Sequence, residues 1–142
     1  VHPLDELRQI IERHGWAVRN VVDPDPAECF SYTVGLTAHG HPEAVMTGLP
    51  HDVATAFLNI VGEIVVREGG TLEAGQTTTE LAEGPAMPII AVEDVSGLTA
   101  VDQIFGRVKA IQIVWTDSKG RFPWDSDYAN PPGSQRLLGA TA

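Results

Sequence analysis

Cysteine is almost absent. Cys29 is the only one among 142 residues, so neither an internal disulfide nor a cysteine-based zinc site can form, and this usage suits a reducing cytoplasm. Cys29 follows Glu28, a poor neighbour for a thiolate, and is read as a buried small hydrophobe. Cations are scarce too. Nine Lys and Arg stand against 19 Asp and Glu, a formal net charge of −10, and Arg67 is the only cation between Asn20 and Gly106. A duplex-binding face needs several clustered cations, so nucleic acid is not an expected partner, and neither is an anionic membrane surface. Apolar runs reach only about five residues, far short of the ~18 that a membrane helix needs. The stretch Val1-His2-Pro3-Leu4-Asp5-Glu6 has no basic start ahead of an apolar run, so no signal peptide is expected there. No glycine-rich phosphate cradle is present, and no G-x-S-x-G elbow or S-x-x-K motif.

What remains is ordinary globular material. Apolar residues make up 43% and charged residues 20%, enough for one domain over 1–142 with its own core. Leu4, Leu7, Ile11 and His14 share a helical stripe, with acids at its start, Arg13 and His14 at its end, and Gly15 as a stop. Residues 16–22 alternate as a strand, and Asp23-Pro24-Asp25-Pro26 breaks it. Residues 29–36 are rich in aromatic and β-branched side chains, the clearest strand. A connection, Thr37-Ala38-His39-Gly40-His41-Pro42, leads to a short strand over 43–47. If those two strands pair as a hairpin, both histidines ride at its tip. The longest helix is expected over 50–68, its stripe formed by Val53, Phe57, Val61 and Ile64 and widened by Ala54, Ile60 and Val65. Further strands are expected over 76–81, 87–92 and 110–116, with a helix capped by Ser96 running to Phe105. Residues 121–142, with Pro123, Pro131 and Pro132, read as an extended tail packed on the body. Several connections are too short for helical crossovers. The expected fold is therefore α+β: a single domain with a five- to six-stranded antiparallel or mixed sheet, two or three helices and one covered face. A small, partly open barrel is the alternative.

Three groups of residues carry chemistry in principle. His39, His41 and His51 lie close in sequence beside Glu43 and Asp52, and an H-x-H pair on extended chain can aim both rings one way at a metal. Ser31, Tyr32 and Thr33 offer hydroxyls, although tyrosine and threonine are equally good strand residues. Trp115, Phe122, Trp124 and Tyr128 cluster with Arg121, Asp117 and Asp125, as the wall of a pocket for a flat ligand or as core and tail anchors. Arg107, Lys109, Lys119 and Arg121 gather in one short span that would suit a single small anionic group, a flavin phosphate among the candidates.

Several ordered blocks together resemble the bacterial domain-of-unknown-function family DUF4262. They are Gly15-Trp16, Phe30-Ser31-Tyr32-Thr33-Val34-Gly35-Leu36, Gly40-His41-Pro42-Glu43, Gly48-Leu49-Pro50, Gln112-Ile113-Val114-Trp115-x-Asp117-x-x-Gly120-x-Phe122-Pro123-Trp124 and Gln135-x-Leu137-Leu138-Gly139, spanning about residues 5–139. Thr116 and Arg136 depart from the pattern, which would have proline there. The resemblance brings no activity and no cofactor. It directs attention to His41, Glu43, Tyr32, Thr33, Gln112, Asp117 and Trp124. The favoured expectation is a small-molecule or peptide binding module with a pocket between the 37–43 loop and the 115–124 turn, where Tyr32, Thr33, Gln112, Trp115, Trp124 and Arg121 contact the ligand. Two alternatives stand beside it. One is an enzyme with His41 as acid/base, assisted by Glu43 or Asp117 or by a metal on His39, His41 and His51. The other is a homodimer pairing through an exposed edge strand.

Overall fold

The computed structural model describes residues 3–25, 28–131 and 133–139. Helix α1 (Pro3–His14) opens with Asp5 and Glu6 and ends with Arg13 and His14, each matched to the helix dipole. Gly15, at φ 95°, closes it by donating its N–H to the Ile11 carbonyl. Leu4 and Leu7 bury, but His14, expected on the same stripe, is exposed. Strands β1 (Ala17–Val21), β2 (Phe30–Val34) and β3 (Glu43–Thr47) follow. Helix α2 (His51–Gly62) continues through a π-type turn over Glu63–Arg67. Strands β4 (Thr77–Thr78) and β5 (Met87–Ala91), helix α3 (Thr99–Phe105) and strand β6 (Ala110–Ile113) complete the elements. Several are shorter than expected, β1, β2 and β5 by one to three residues. β4 keeps two residues of the 76–81 stretch, α3 starts at Thr99 with no side-chain cap from Ser96, and β6 ends at Ile113.

The strands form one open, six-stranded mixed sheet in the order β1-β2-β3-β6-β5-β4. β1–β2, β2–β3, β5–β6 and β4–β5 pair antiparallel, while β3 and β6 run parallel with Glu43 opposite Ala110 and Val45 opposite Gln112. The sheet does not close, so the barrel alternative falls, and β1 and β4 are its edges. The expectation of one covered face is also corrected. Side chains alternate across a strand. Ala44, Met46, Ile89, Ile111 and Ile113 pack beneath α2 with Leu58, Val61 and Val65, whereas Phe30, Tyr32, Val34 and Val45 pack with Leu4 and Leu7 of α1 and Val101 of α3. All five residues of both β2 and β3 are buried, as a strand covered on both faces must be.

Small residues decide how α2 seats. Its inward line is Ala54, Leu58, Val61, Gly62 and Val65, while Val53, expected on the stripe, is 36% exposed. The Trp16 indole lies against Gly62, where an added Cβ would come within 2.1 Å of Trp16 Cε2. Trp16 Nε1 donates to Asn59 Oδ1 at 3.0 Å, which fixes the ring. Among the described residues, no helix is long and apolar enough to cross a membrane.

Candidate functional site

The parallel pairing of β3 with β6 sets the map of the site. It places the start of β3 beside the start of β6, and the end of β3 beside the segment that follows β6. The 37–43 loop enters β3 and the 115–124 turn leaves β6. They lie at opposite ends of the sheet, separated by roughly 13 Å of strand at about 3.3 Å per residue. The expected pocket between them does not form.

At the entering end, Glu43 is fully buried. Its Oε1 accepts from Thr33 Oγ1 at 2.8 Å and Leu36 N at 3.1 Å; its Oε2 accepts from Gly35 N at 3.2 Å, Thr37 N at 2.9 Å and Thr37 Oγ1 at 2.5 Å. The carboxylate thus holds the start of the 3-10 turn Leu36–His39, accepting from the leading amides of Leu36 and Thr37, which precede the turn's first internal bond from Ala38 N to the Gly35 carbonyl. Thr33 Oγ1 also accepts from Ala44 N, standing in for a ladder bond where β2 turns away. His41 is buried rather than carried at the loop tip. Its Nδ1 lies 2.7 Å from the Pro42 carbonyl and its Nε2 accepts from Leu72 N at 2.9 Å. An acceptor on one side and a donor on the other select the Nδ1–H tautomer and occupy both nitrogens. His41 and Glu43 therefore serve the backbone, and neither presents a free atom to a substrate.

At the leaving end, Asp117 organises a compact loop. Its Oδ1 accepts from Lys119 N and Arg121 N at 2.9 Å each, and its Oδ2 accepts from Ala129 N at 2.8 Å and Arg121 Nε at 3.2 Å. Burial alone would raise its pKa, but the amides of Ala129, Arg121 and Lys119 and the Arg121 guanidinium together lower it to about 2. Arg121 also pairs with Asp127 at 3.1 Å, and its pKa is raised, first by that hydrogen bond. Trp124 is 41% exposed and stacks on Phe122 with centroids 5.2 Å apart, against the loop itself. Residues 121–130 are thus folded into turns and Ser134 N donates to the Pro131 carbonyl in another; the later described part of the expected tail is residues 133–139, while 132 and 140–142 lie outside the described residues.

That later part is clamped by buried amides. Gln112 Nε2 donates to Thr47 Oγ1 at 3.2 Å and to the Arg136 carbonyl at 2.8 Å, while its Oε1 accepts from Leu138 N at 2.7 Å. Gln135 Oε1 accepts from Trp115 N and its Nε2 donates to the Trp115 carbonyl, as a neighbouring strand would. Trp115 Nε1 donates to the Thr47 carbonyl at 2.8 Å. Gly48 and Gly139 let the chain through: a Cβ would come within 2.0 Å of the Ser134 carbonyl oxygen at one and 1.8 Å of the Ala91 carbonyl oxygen at the other. Tyr32, expected at a ligand, is buried with its hydroxyl accepting from Ala100 N at 3.1 Å, and desolvation raises its pKa. It docks α3. Cys29 is half-buried rather than buried, its Sγ accepting from Asp23 N.

No three His, Cys, Asp or Glu side chains converge on a metal position among the described residues. The expected set separates because His39 ends the 3-10 turn, His41 is engaged with backbone and His51 opens α2. The basic cluster divides as well. Lys119 and Arg121 follow β6, and Arg107 and Lys109 precede it; Arg121 is tied to Asp117 and Asp127, while Lys119, Arg107 and Lys109 are exposed with no salt bridge among the described residues, Arg107 still within electrostatic reach of Asp94. Two clefts meet at Arg107 and Lys109. One, of about 300 Å³, is lined by Thr37, Gly40, His41 and Phe105; the other, of about 440 Å³, by Glu73, Ala74, Val92 and Val95. Pro42, Arg107, Val108 and Lys109 border both. Sequence reasoning noticed the two cations but not Phe105, Val108 or the second cleft. Their signal was the register that sets the starts of β3 and β6 side by side.

No curated protein and no solved structure matches the chain. The resemblance drawn over residues 5–139 narrows to residues 10–129, which leaves the clamped segment 134–139 outside the matched span. The family model of the domain of unknown function DUF4262 matches those residues, and the chain belongs to that family.

Proposed function

We propose that the chain is a binding module for a small anionic molecule with an apolar body, taken up where the two clefts join at Pro42 and Val108. The observation that carries this reading is the pair Arg107 and Lys109, exposed side by side at the mouth shared by both clefts with no salt bridge among the described residues, in a chain of net charge −10. The smaller cleft has these cations and no acid in its lining, which suits the anionic group. The larger cleft adds Val92 and Val95 but also Glu73 and Glu93, which suits an uncharged body and repels a second anion. Binding without chemistry is favoured over catalysis because both nitrogens of His41 and both oxygens of Glu43 are committed to hydrogen bonds. The single cysteine is consistent with work in a reducing compartment such as the cytoplasm.

The test is a thermal-shift titration with octanoate, phenyl phosphate and a flavin mononucleotide. A ligand at about 100 times its Kd adds about 2.7 kcal/mol of stability. The expected result is a saturable rise in Tm for the wild type that the double variant R107E/K109E abolishes, each protein being read against its own unliganded melt. No rise with any of the three probes, or a rise that survives the charge reversal, would overturn the proposal.

A further inference from the structure

The first edge of the sheet is open and framed. β1 pairs with β2 on one side only, so alternate residues direct their N–H and C=O groups outward. A groove of about 600 Å³ runs along that edge. Ala17, Val18 and Arg19 form its floor; Glu6, Ile10 and His14 of α1 form one wall, and Thr55, Asn59, Glu63 and Arg67 of the second helix and its π-type turn form the other. Both walls are stripes with a spacing of four residues, so each presents one face of its helix to the groove. Neither the proposed ligand clefts nor the Asp117 loop lines this groove.

We propose that this groove receives a second copy of the chain, β1 pairing antiparallel with the partner's β1 into a continuous twelve-stranded sheet. The two-fold axis of such a pair is normal to the sheet, so α1 meets the partner's α1 and α2 the partner's α2. The residue pattern is self-complementary under that operation. In the α1 wall, Ile10 faces the partner's Ile10, and Glu6 faces the partner's His14, an acceptor opposite a ring N–H. Ile10 is 38% exposed in the single chain, an apolar side chain with water where its mate would be. In the α2 wall, Asn20 Nδ2 donates to Thr55 Oγ1 at 3.3 Å, so an axis at Asn20 sets Thr55 near the partner's Thr55, an uncharged pair, and leaves Glu63 and Arg67 away from the axis. Arg19 selects the register. Centring the strands on Arg19 would oppose two guanidinium groups, which cross-strand pairs disfavour. Centring them on Asn20 sets Arg19 against the partner's Val21 and Val18 against the partner's Val22. Val22 is 78% exposed, and this register covers it.

Sedimentation velocity from about 1 to 500 μM, with hydrogen exchange at both ends of the range, tests the proposal. The wild type is expected to dimerise with concentration, and exchange is expected to slow in residues 17–22. I10E places two carboxylates at the axis and is expected to raise the dimer Kd at least tenfold, its melt at low concentration matching the wild type. E6K is expected to weaken the dimer, and the swap E6K/H14E to restore it. A monomer throughout the range overturns the proposal. So does a dimer that I10E leaves intact, a swap that fails to restore, or slowed exchange confined to another surface.

Discussion

Replacing Glu43 by glutamine removes one charge and almost no volume, yet the structure makes it costly. The amide can keep its oxygen at the Oε2 position, where Gly35 N, Thr37 N and Thr37 Oγ1 donate. Its NH₂ then occupies the Oε1 position and faces Leu36 N–H, a backbone donor that cannot reverse; the Thr33 hydroxyl there can rotate and accept. The opposite orientation is worse, because two backbone donors are orphaned instead of one. An orphaned buried donor costs about 1–3 kcal/mol. The three retained bonds change from charge-assisted to neutral, roughly 1 kcal/mol each, and relief of the buried charge offsets part of that loss. The expected net for E43Q is about 2–4 kcal/mol, a large share of the 5–15 kcal/mol that such a domain has in total. Urea unfolding followed by circular dichroism reads it as a lowered midpoint at unchanged slope. A variant within about 0.5 kcal/mol of the wild type would refute the structural role assigned to Glu43 and reopen its place in a catalytic site.

Two other perturbations test separate parts of the fold. G62A should gain up to about 1 kcal/mol from helix propensity in an open helix, but here the new Cβ would strike the Trp16 indole; we expect a net loss of about 1–3 kcal/mol and a shift in tryptophan fluorescence, and a raised Tm would contradict the packing described. Asp117 has a pKa lowered to about 2 in the folded chain, below its ordinary carboxylate value, so between those two values the unfolded chain binds more protons and stability rises with pH. Its contribution is present in full above the ordinary value and is lost as pH falls through about 2. D117N should flatten that acid limb of the stability profile, and an unchanged acid limb in denaturant titrations at several pH values would count against the loop geometry.

The elements were largely legible because local signals govern them. The stripe of Leu4, Leu7 and Ile11, the dipole-matched ends of α1, the aromatic and β-branched run of β2, and the glycine stop at Gly15 all act over a few residues. The inward line of α2 was legible only in part: Ala54, Val61 and Val65 bury as expected, but apolar weight favoured Val53 and Phe57, whereas close approach brings Leu58 and Gly62 inward. Which small residue a ring will lie upon depends on Trp16, 46 positions away.

The sequence by itself settled that the chain has no internal disulfide, carries an excess of acid and builds an α+β body from short elements, since composition and periodicity report these directly. Strand order was decided by the tertiary structure alone. Periodicity says that a strand is buried but not beside which strand, and pairing β3 with β6 joins segments more than sixty residues apart. That one parallel contact sends the 37–43 loop and the 115–124 turn to opposite ends of the sheet. It turns Gln112, expected at a ligand, and Asp117, expected to assist His41, into clamps for backbone, and it leaves Arg107 and Lys109 together beside a cleft.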